Sequence, residues 1–389
     1  MSHVKLGDLY RIGSSKRVLQ SQWTTEGVPF YIGREITKLS ECGFVENDLF
    51  ITEELFNELS QRSGVPQAGD IMITAIGTIG NSYIVCPDDR FYFKDASVLW
   101  LARNSDVSSE YINHWLKSPL FLDQLDRGNG ATVDTLTIQK LQGVLVHVPS
   151  ASEQRRIVTL LDEAFADIAT AKANAEKNLQ NARELFTSHL QSVFTRQGLD
   201  WVVQPLGDIG KVSMCKRIFK EQTTPTGDIP FYKIGTFGKE PDAFIPAEIY
   251  HQFRQKYSFP NKGDVLVSAA GTVGRCVVYD GEDAYFQDSN IVWIANDQTK
   301  LLNHFLYHFY SACDWNSTKG ATISRLYNDN LRQIVIAFPQ SLDEQNRIAA
   351  QLDVLSEKTN QLTDIYRQKL TALDDLKKSL LHQAFSGQL

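Results

Sequence analysis

The sequence predicts a mixed α/β protein in which two repeated α/β domains are separated by two long antiparallel coiled-coil helices. Two observations support this fold class: the phrase AIGTIG at Ala75 returns as AAGTVG at Ala269, and each half ends in a long stretch with alternating apolar spacing. A chain of 389 residues is long enough for more than one core. The predicted divisions are domain 1 (1–150), a central helix (151–196), domain 2 (197–340) and a C-terminal helix (341–389).

The repeat extends along the chain and is marked by short anchors in the same order. The two copies differ between the anchors, as expected of one scaffold that presents two different recognition surfaces. A repeat of about 190 residues is far longer than a solenoid unit, so it indicates a duplicated domain with its trailing segment. The paired anchors begin at Leu6 and Leu206 (LGD), Pro29 and Pro230 (PFY), Gly69 and Gly263 (GD), Gly130 and Gly320 (GAT), and Glu153 and Glu344 (EQ).

Each trailing segment predicts one long helix. Residues 152–194 contain no Gly or Pro, and their apolar or small residues follow the alternating four-and-three spacing of a coiled-coil seam. This seam is alanine-rich, whereas the second copy has a leucine-rich seam that includes Leu362 and Leu376. At 1.5 Å per residue, each helix would be roughly 60 Å long.

The ends of these helices also carry signals. We expect Ser152 or Asp343 to cap the helix starts and Gly198 and Gly387 to terminate the helices. The two helices are expected to pack antiparallel as a spacer. The alternative is that each helix packs on its own domain.

The segments 69–85 and 263–279 predict strand, tight glycine turn and strand. The glycines of GTIG and GTVG are explained most simply by a hairpin turn that needs positive φ. The other interpretation is a loop tip that presents the next residue, Asn81 or Arg275, to a ligand.

Composition and missing motifs exclude several classes. The net charge of −7 is unusual for a dedicated DNA-binding protein, so phosphate affinity would have to come from local clusters or from a partner. No apolar run is long enough to span a membrane, and we expect a cytoplasmic protein. The five cysteines lie far apart, which indicates free thiols and no zinc site.

No catalytic constellation is recognised, since the chain has no P-loop, GxGxxG, GxSxG or amino-methyltransferase motif. His304 and His308 have the i, i+4 spacing of metal ligands, but the sequence supplies no third ligand nearby. We therefore interpret them as a structural helix face and predict no metal site.

Basic clusters at matching repeat positions favour nucleic acid as the ligand. Lys16-Arg17 and Lys216-Arg217 each follow an LGD anchor, and such pairs suit phosphate contacts, while nearby polar residues suit base edges. Two glycine-rich loops, beginning at Arg127 and Ser317, add a second candidate region. The predicted DNA-binding residues are Lys16, Arg17, Arg34, Lys38, Asn81, Arg127, Asn129, Thr132, Lys216, Arg217, Lys220, Lys233, Arg275, Lys319, Thr322 and Arg325.

Taken together, the anchors resemble the specificity subunit of type I restriction-modification systems over essentially the whole chain. The most specific resemblance lies in the stretches Pro149 to Ile157 (P-x-x-x-EQ-x-x-I) and, one residue longer, Pro339 to Ile348. The GD and GT[IV]G strands and the GAT loops recur in the order expected of this family.

The resemblance implies that each domain is a target recognition domain for one half of a bipartite DNA site, and that the helices set the gap. It implies two methyltransferase subunits as partners, which use S-adenosylmethionine to methylate adenine at N6, and a motor and nuclease subunit that uses ATP and Mg. This chain would bind no cofactor itself. The partner-binding residues that the resemblance suggests are Glu153, Gln154, Arg156, Glu344, Gln345 and Arg347.

Because the two domains differ, the target is expected to be asymmetric. Two other interpretations stay open: a specificity chain for another methyltransferase-based defence system, and a two-headed coiled-coil scaffold that binds proteins. An enzyme with an unfamiliar site is a third, which no residue set supports.

Overall fold

The computed structural model describes residues 3–125, 135–196, 198–315, 326 and 328–389. The chain forms two compact units. The first unit comprises Met1–Glu176 and Gln368–Leu389, and the second comprises Lys177–Arg367. Each unit therefore contains one copy of the repeat together with part of both long helices.

The described part of the first unit contains nine strands, six short helices and the start of a long helix. The strands are β1 (His3–Lys5), β2 (Tyr10–Gly13), β3 (Val28–Tyr31), β4 (Phe50–Ile51), β5 (Ile71–Thr74), β6 (Ser82–Ile84), β7 (Tyr92–Phe93), β8 (Val98–Arg103) and β9 (Leu145–His147). The helices are α1 (Leu6–Leu9), α2 (Gly33–Cys42), α3 (Glu53–Ser63), α4 (Ser109–Leu116), α5 (Pro119–Leu125), α6 (Ile138–Gly143) and the long helix α7 (Ala151–Thr195).

The second copy repeats most of this order in its described residues. Its strands are β10 (Trp201–Pro205), β11 (Lys211–Ser213), β12 (Ile229–Tyr232), β13 (Phe244–Ile245), β14 (Val265–Ser268), β15 (Cys276–Val278), β16 (Tyr285–Phe286), β17 (Ile291–Ala295) and β18 (Val335–Pro339). Its helices are α8 (Leu206–Ile209), α9 (Ala247–Lys256), α10 (Asn303–Ala312), α11 (Asn328–Gln333) and the long helix α12 (Leu342–Ser386).

The sheets confirm the mixed α/β prediction. Each unit has a four-stranded antiparallel sheet, with strand order β2-β8-β5-β6 in the first and β11-β17-β14-β15 in the second. Each also has a three-stranded sheet, β4-β3-β7 or β13-β12-β16, in which the last pair is parallel. A short antiparallel pair, β1-β9 or β10-β18, joins the start of the domain to the strand before its long helix.

One difference between the copies concerns the segment after β3 or β12. In the first unit this segment forms α2, whereas residues 234–238 of the second form turns. The two frames are therefore alike in their sheets and unlike in a segment that lies beside the glycine hairpin.

The GD anchors place a buried aspartate directly before a central strand of each four-stranded sheet. Gly69 has φ +86° and Gly263 φ +90°, which explains glycine at both positions. The following Asp70 is buried and accepts hydrogen bonds from Gln67 N (2.8 Å), Trp100 Nε1 (2.8 Å) and Arg103 N (2.9 Å). Each anchor is thus a turn followed by a buried acceptor, and its role is structural.

Both long helices pack on the domains at their ends. In the first unit Ile157, Leu161, Leu381 and Phe385 lie in the same core as Trp115 of α4. In the second unit Leu190, Ile348 and Leu352 share the core of Phe305 on α10. Each helix thus packs on its own domain at its start and in the core of the other unit at its end, so the alternative that each helix packs on its own domain does not hold over the whole helix.

The helices are also antiparallel partners within the first unit. Lys172 Nζ lies 2.8 Å from Asp374 Oδ1, and Arg156 donates to the Leu389 carbonyl at 2.8 Å. Ile168 is buried between these two contacts and Ala175 is buried just beyond Lys172, as the seam predicts. The leucine-rich seam was predicted wrongly in part, because Leu362 and Leu376 are 39% and 46% exposed whereas Thr363 is buried.

The predicted caps are one residue or more too late. The Ser150 hydroxyl accepts from Glu153 N and the Ser341 hydroxyl from Glu344 N, both at 3.3 Å. Ser152 and Asp343 already lie inside the helices, so they cannot be the caps. Gly387 ends α12 with φ +76°, as predicted. Within the described residues no helix has the length and apolarity needed to cross a membrane.

Candidate nucleic-acid interface

The paired cations lie on loops that the same tyrosine fixes in each copy. The backbone N–H of Lys16 donates to Tyr92 Oη, and Tyr285 Oη donates to the Lys216 carbonyl, each at 3.0 Å. Lys16, Arg17, Lys216 and Arg217 are all exposed. The loop backbone is thus anchored to the three-stranded sheet while the cationic side chains extend into solvent.

A second loop, between β7 and β8 or between β16 and β17, is strained in the same way in both copies. Ala96 and Ser289 occupy matching positions and have φ of 60° and 59°, although neither is glycine. Such residues cost about 1 kcal/mol or more and cluster at functional sites. The Ser14 hydroxyl accepts from Ala96 N at 3.2 Å, which ties this loop to the one that carries Lys16.

The glycine hairpin is the third loop, and its positive φ values confirm the turn interpretation. Gly77 and Gly80 have φ +76° and +94°, and Gly271 and Gly274 have +63° and +88°. The Thr74 and Ser268 hydroxyls each donate to a loop carbonyl and accept from the residue that follows the turn. A strand hydroxyl therefore fixes the loop in both copies.

In the first unit these three loops line one groove of about 440 Å³. Its walls include Arg17 and Gln20 from the first loop, Lys94 and Ala96 from the second, and the half-exposed Ile76 from the hairpin. Two cations, a polar amide and an apolar side chain on rigid loops suit a nucleic acid, which offers phosphates and base edges.

The residues that follow the hairpins contact the segment that differs between the copies. Asn81 Nδ2 donates to Thr37 Oγ1 of α2 at 3.1 Å, and an Arg275 guanidinium N–H donates to the Phe237 carbonyl at 2.9 Å. Both side chains are half-buried. Whether they read bases stays a prediction, and in this structure they position the neighbouring segment.

Some of the predicted DNA-binding cations are already paired with carboxylates of the chain. Arg34 pairs with Glu35 and Asp48, Lys233 with Asp242 at 2.8 Å, and Arg217 with Asp288 at 2.9 Å. Neighbouring carboxylates therefore compete with phosphate for these three. Lys38 and Lys220 are exposed and have no ion pair with the described residues. Six predicted residues lie outside the described residues: Arg127, Asn129, Thr132, Lys319, Thr322 and Arg325.

The assignment of two glutamines as partner-binding residues is wrong. Gln154 and Gln345 are buried, and their amides are used inside their own units. Gln154 accepts from Ser108 N (2.9 Å) and donates to the Pro149 carbonyl (2.9 Å), and Gln345 accepts from Leu302 N (2.8 Å). These glutamines fasten the long helix to the start of α4 or α10, so they present no amide to a partner.

The charged members of the same motif remain at the surface as local pairs. Glu153 lies 2.7 Å from Arg156, and Glu344 lies 2.6 Å from Arg347. The sequence analysis missed a more accessible feature, an apolar stripe on α12 made of Val354 (50% exposed), Leu362 (39%) and Ile365 (55%). At 100° per residue these three side chains fall within about 80° of one another on the helix.

Two buried histidines connect the domains to the long helices at matching positions. His114 Nε2 lies 2.8 Å from Asp162, and His308 Nε2 lies 2.9 Å from Asp353. Burial lowers the pKa of both imidazoles, against the opposing effect of the carboxylate. The expectation that His304 and His308 lack a third ligand nearby is wrong, because Asp353 faces both.

The first of these pairs gives a pH prediction. Burial lowers the pKa of His114, and Lys117 and Lys377 add to this while Asp162 opposes it. The pKa of His114 is therefore lower in the folded chain than in the unfolded chain, where it is about 6.5. The stabilisation by the neutral imidazole is fully present above about pH 6.5 and is lost as the pH falls through the pKa of the folded chain. We expect the stability advantage of the native chain over His114→Gln to shrink between pH 7.5 and 5.5 in thermal unfolding. An advantage that grows on acidification would contradict the assignment.

Three of the five thiols are packing residues and not nucleophiles. All five cysteines are free, as predicted. Burial raises the pKa of Cys215 and Cys276 to about 12 and that of Cys313 to about 11. These three thiols stay protonated near neutral pH and behave as packing residues.

Two repeated loop sets, each anchored to its own sheet and carrying exposed cations, are typical of a class of protein that reads nucleic-acid sequence. Comparison with known proteins then identifies the family. The family model for the type I restriction modification DNA specificity domain matches residues 1–179 and 198–372. The chain belongs to this family.

Individual relatives agree. A predicted type I restriction enzyme specificity subunit of Haemophilus influenzae is 45% identical over 263 residues, which are 66% of this chain and 67% of that protein. The StySPI specificity subunit of Salmonella potsdam is 22% identical over 312 residues, 73% of this chain and 66% of that protein.

Solved structures share the fold. A chain from a study of complex assembly and conformational transition of the type I R-M system matches with a TM-score of 0.78 and 19% identity, over 100% of this chain and 98% of that chain. The HsdS subunit from Thermoanaerobacter tengcongensis matches with a TM-score of 0.65 and 19% identity, over 100% and 97%. The protein is therefore a DNA sequence-recognition subunit, which is the non-catalytic chain of such systems.

Proposed function

We propose that each unit reads one half of an asymmetric bipartite DNA site and that the two long helices set the gap between the halves. The observation that carries this proposal is a constant frame with variable side chains. Matching loops are fixed in both copies, one by an equivalent tyrosine and the other by an equivalent strand hydroxyl, but several positions on these loops carry different residues. These pairs are Leu19 and Phe219, Gln20 and Lys220, Ile76 and Ala270, and Asn81 and Arg275.

The division of labour follows from the chemistry of each set. Lys16-Arg17 and Lys216-Arg217 are present in both copies and suit contacts to phosphates, which are the same in every sequence. The differing residues suit base edges and groove shape, which depend on sequence. Two unlike sets of readers support two unlike half-sites.

Partner docking is proposed for the helices. Val354, Leu362 and Ile365 give α12 an exposed apolar stripe, and the Glu344–Arg347 pair lies at the start of the same helix. An apolar stripe with charged neighbours suits a protein surface. We assign this stripe to the docking of a methyltransferase subunit. Because the repeat supplies two long helices, we propose that two such subunits dock on each chain.

The chemistry then belongs to the partners. S-adenosylmethionine would be bound by the methyltransferase subunits, which would also flip the target adenine out of the duplex for N6 methylation. ATP and Mg would be bound by a motor and nuclease subunit that joins the complex to cut unmodified DNA. We place the complex in the cytoplasm, and free thiols are compatible with that location.

Selection from random DNA tests the proposal against the scaffold alternative. The chain is assembled with its methyltransferase subunit, incubated with a random duplex pool, and the retained DNA is sequenced. We expect enrichment of two short conserved blocks at one fixed separation, and weaker retention as salt rises. Retention without any enriched sequence would favour the two-headed protein scaffold.

A single substitution tests the assignment of the second unit. Arg275→Ala removes a cation beside the glycine hairpin and the hydrogen bond to Phe237. We expect relaxed sequence preference at one or two positions of one half-site only, at a cost of about 1–3 kcal/mol there. Asn81→Ala is the matched control and should affect the other half-site. If methylation maps from both variants show the native motif, these residues are not readers.

A further inference from the structure

The second unit contains a cluster of potential metal ligands that belongs to neither the DNA loops nor the helix stripe. His304 Nε2 lies 2.6 Å from one carboxylate oxygen of Asp353, and His308 Nε2 lies 2.9 Å from the other. Together these three ligand atoms lie within 4.8 Å of one another. From this arrangement we infer that His304, His308 and Asp353 form a binding site for one Zn²⁺ ion, which joins α10 to α12.

The geometry suits a tetrahedral ion. Zinc–nitrogen and zinc–oxygen distances of about 2.0–2.2 Å separate neighbouring ligand atoms by about 3.3 Å. The two histidine–aspartate separations, 2.6 and 2.9 Å, are shorter than this by about 0.7 and 0.4 Å, so side-chain rotations would have to open the space. His304 and His308 lie one helical turn apart on α10, which brings both imidazoles to the same side of the helix.

The electrostatic surroundings also favour a cation. Asp353 and His308 line a cavity of about 440 Å³ with Glu357 and Asp364, whose carboxylates add negative charge. The cavity also leaves room for a water molecule as the fourth ligand.

The first unit supplies an internal comparison. His114 and Asp162 repeat His308 and Asp353, but Glu110 occupies the position of His304. Glu110 accepts a hydrogen bond from the Ser108 hydroxyl at 2.7 Å. Only the second unit brings three such groups together among the described residues. The inference therefore specifies one ion per chain, although the fold is duplicated.

The choice of zinc rests on the donor set. Two imidazoles and one carboxylate suit Zn²⁺, whereas Mg²⁺ prefers oxygen ligands and retains its waters. The ion would fix a domain helix to the long helix at the junction where the glutamine Gln345 already holds it. Its role is structural, and the inference does not depend on the proposed function.

Equilibrium dialysis of the chelator-treated full chain against Zn²⁺, followed by metal analysis, tests the site. We expect one Zn²⁺ per native chain and none in His304→Ala, which removes one ligand at a side chain that is 41% exposed. Asp353→Asn should also lose the ion, and Mg²⁺ should not bind. Thermal unfolding without metal checks that the variants fold, and Zn²⁺ should raise the melting temperature of the native chain alone.

Two results would overturn the site. The first is a native chain that takes up no more Zn²⁺ than His304→Ala. The second is a His304→Ala variant that still holds one ion, because the ion would then be bound by other residues of the chain.

Discussion

Asp70→Ala is expected to lower the free energy of unfolding by about 4 kcal/mol. Asp70 is 4% exposed, and its carboxylate accepts from three donors, namely Gln67 N, Trp100 Nε1 and Arg103 N. Alanine would leave the buried Trp100 Nε1 and the two part-buried backbone donors without this acceptor, and each lost bond to a charged group costs about 1.5–3 kcal/mol, less than additively. Urea unfolding of the native and variant chains measures the loss.

Two matched variants sharpen this prediction. Asp264→Ala removes an acceptor with two described donors, Asn261 N (2.8 Å) and Asn303 Nδ2 (3.0 Å), and burial already raises the pKa of that carboxyl. We therefore expect a smaller loss in the second unit. Asp106 is exposed, and Asp106→Ala should stay within about 0.5 kcal/mol of the native chain. An Asp70→Ala loss as small as that of Asp106→Ala would contradict the anchor role.

Replacing Lys16, Arg17, Lys216 and Arg217 with alanine is expected to weaken DNA binding by the assembled complex about 100-fold or more. Each lost phosphate contact lowers the slope of log K against log salt by about 0.9, so the slope should fall by about three to four. Fluorescence anisotropy at several salt concentrations gives both quantities. The sequence motif should not change, because phosphate contacts carry no base information.

A charge-conserving variant is the control for this prediction. Exchanging lysine for arginine, and arginine for lysine, at the same four positions keeps every cation and should preserve the salt slope. Equal losses in the alanine and exchange variants would mean that the loops act through their shape. A changed motif in the alanine variant would move these residues from positioning to base reading.

Much of the fold is predictable from sequence because the same motifs occur in both copies of the repeat, so each copy supports the interpretation of the other. The GT[IV]G turns, the stop at Gly387 and the two long helices follow from local chemistry, namely positive φ and uninterrupted seams. The helix caps were placed too late because several polar residues precede each helix and only geometry selects Ser150 and Ser341.

Long-range contacts explain what the sequence does not reveal. Gln154 resembles an exposed motif residue, but the start of α4 covers it. Asp353 is 45 residues from His308, so no local spacing identifies it as a ligand. The ion pairs of Arg34 and Lys233 likewise depend on carboxylates that the fold brings near. The sequence pattern therefore predicts the sheets and helices, whereas tertiary contacts decide which side chains remain exposed and unpaired for a ligand.

We propose that this one chain specifies two unlike half-sites. The most direct test expresses it with its methyltransferase subunit in a host that lacks adenine methylation and maps N6-methyladenine by single-molecule sequencing. We expect one asymmetric motif of two short blocks at a fixed gap, absent when this chain is omitted. A palindromic motif, or methylation that persists without the chain, would contradict it.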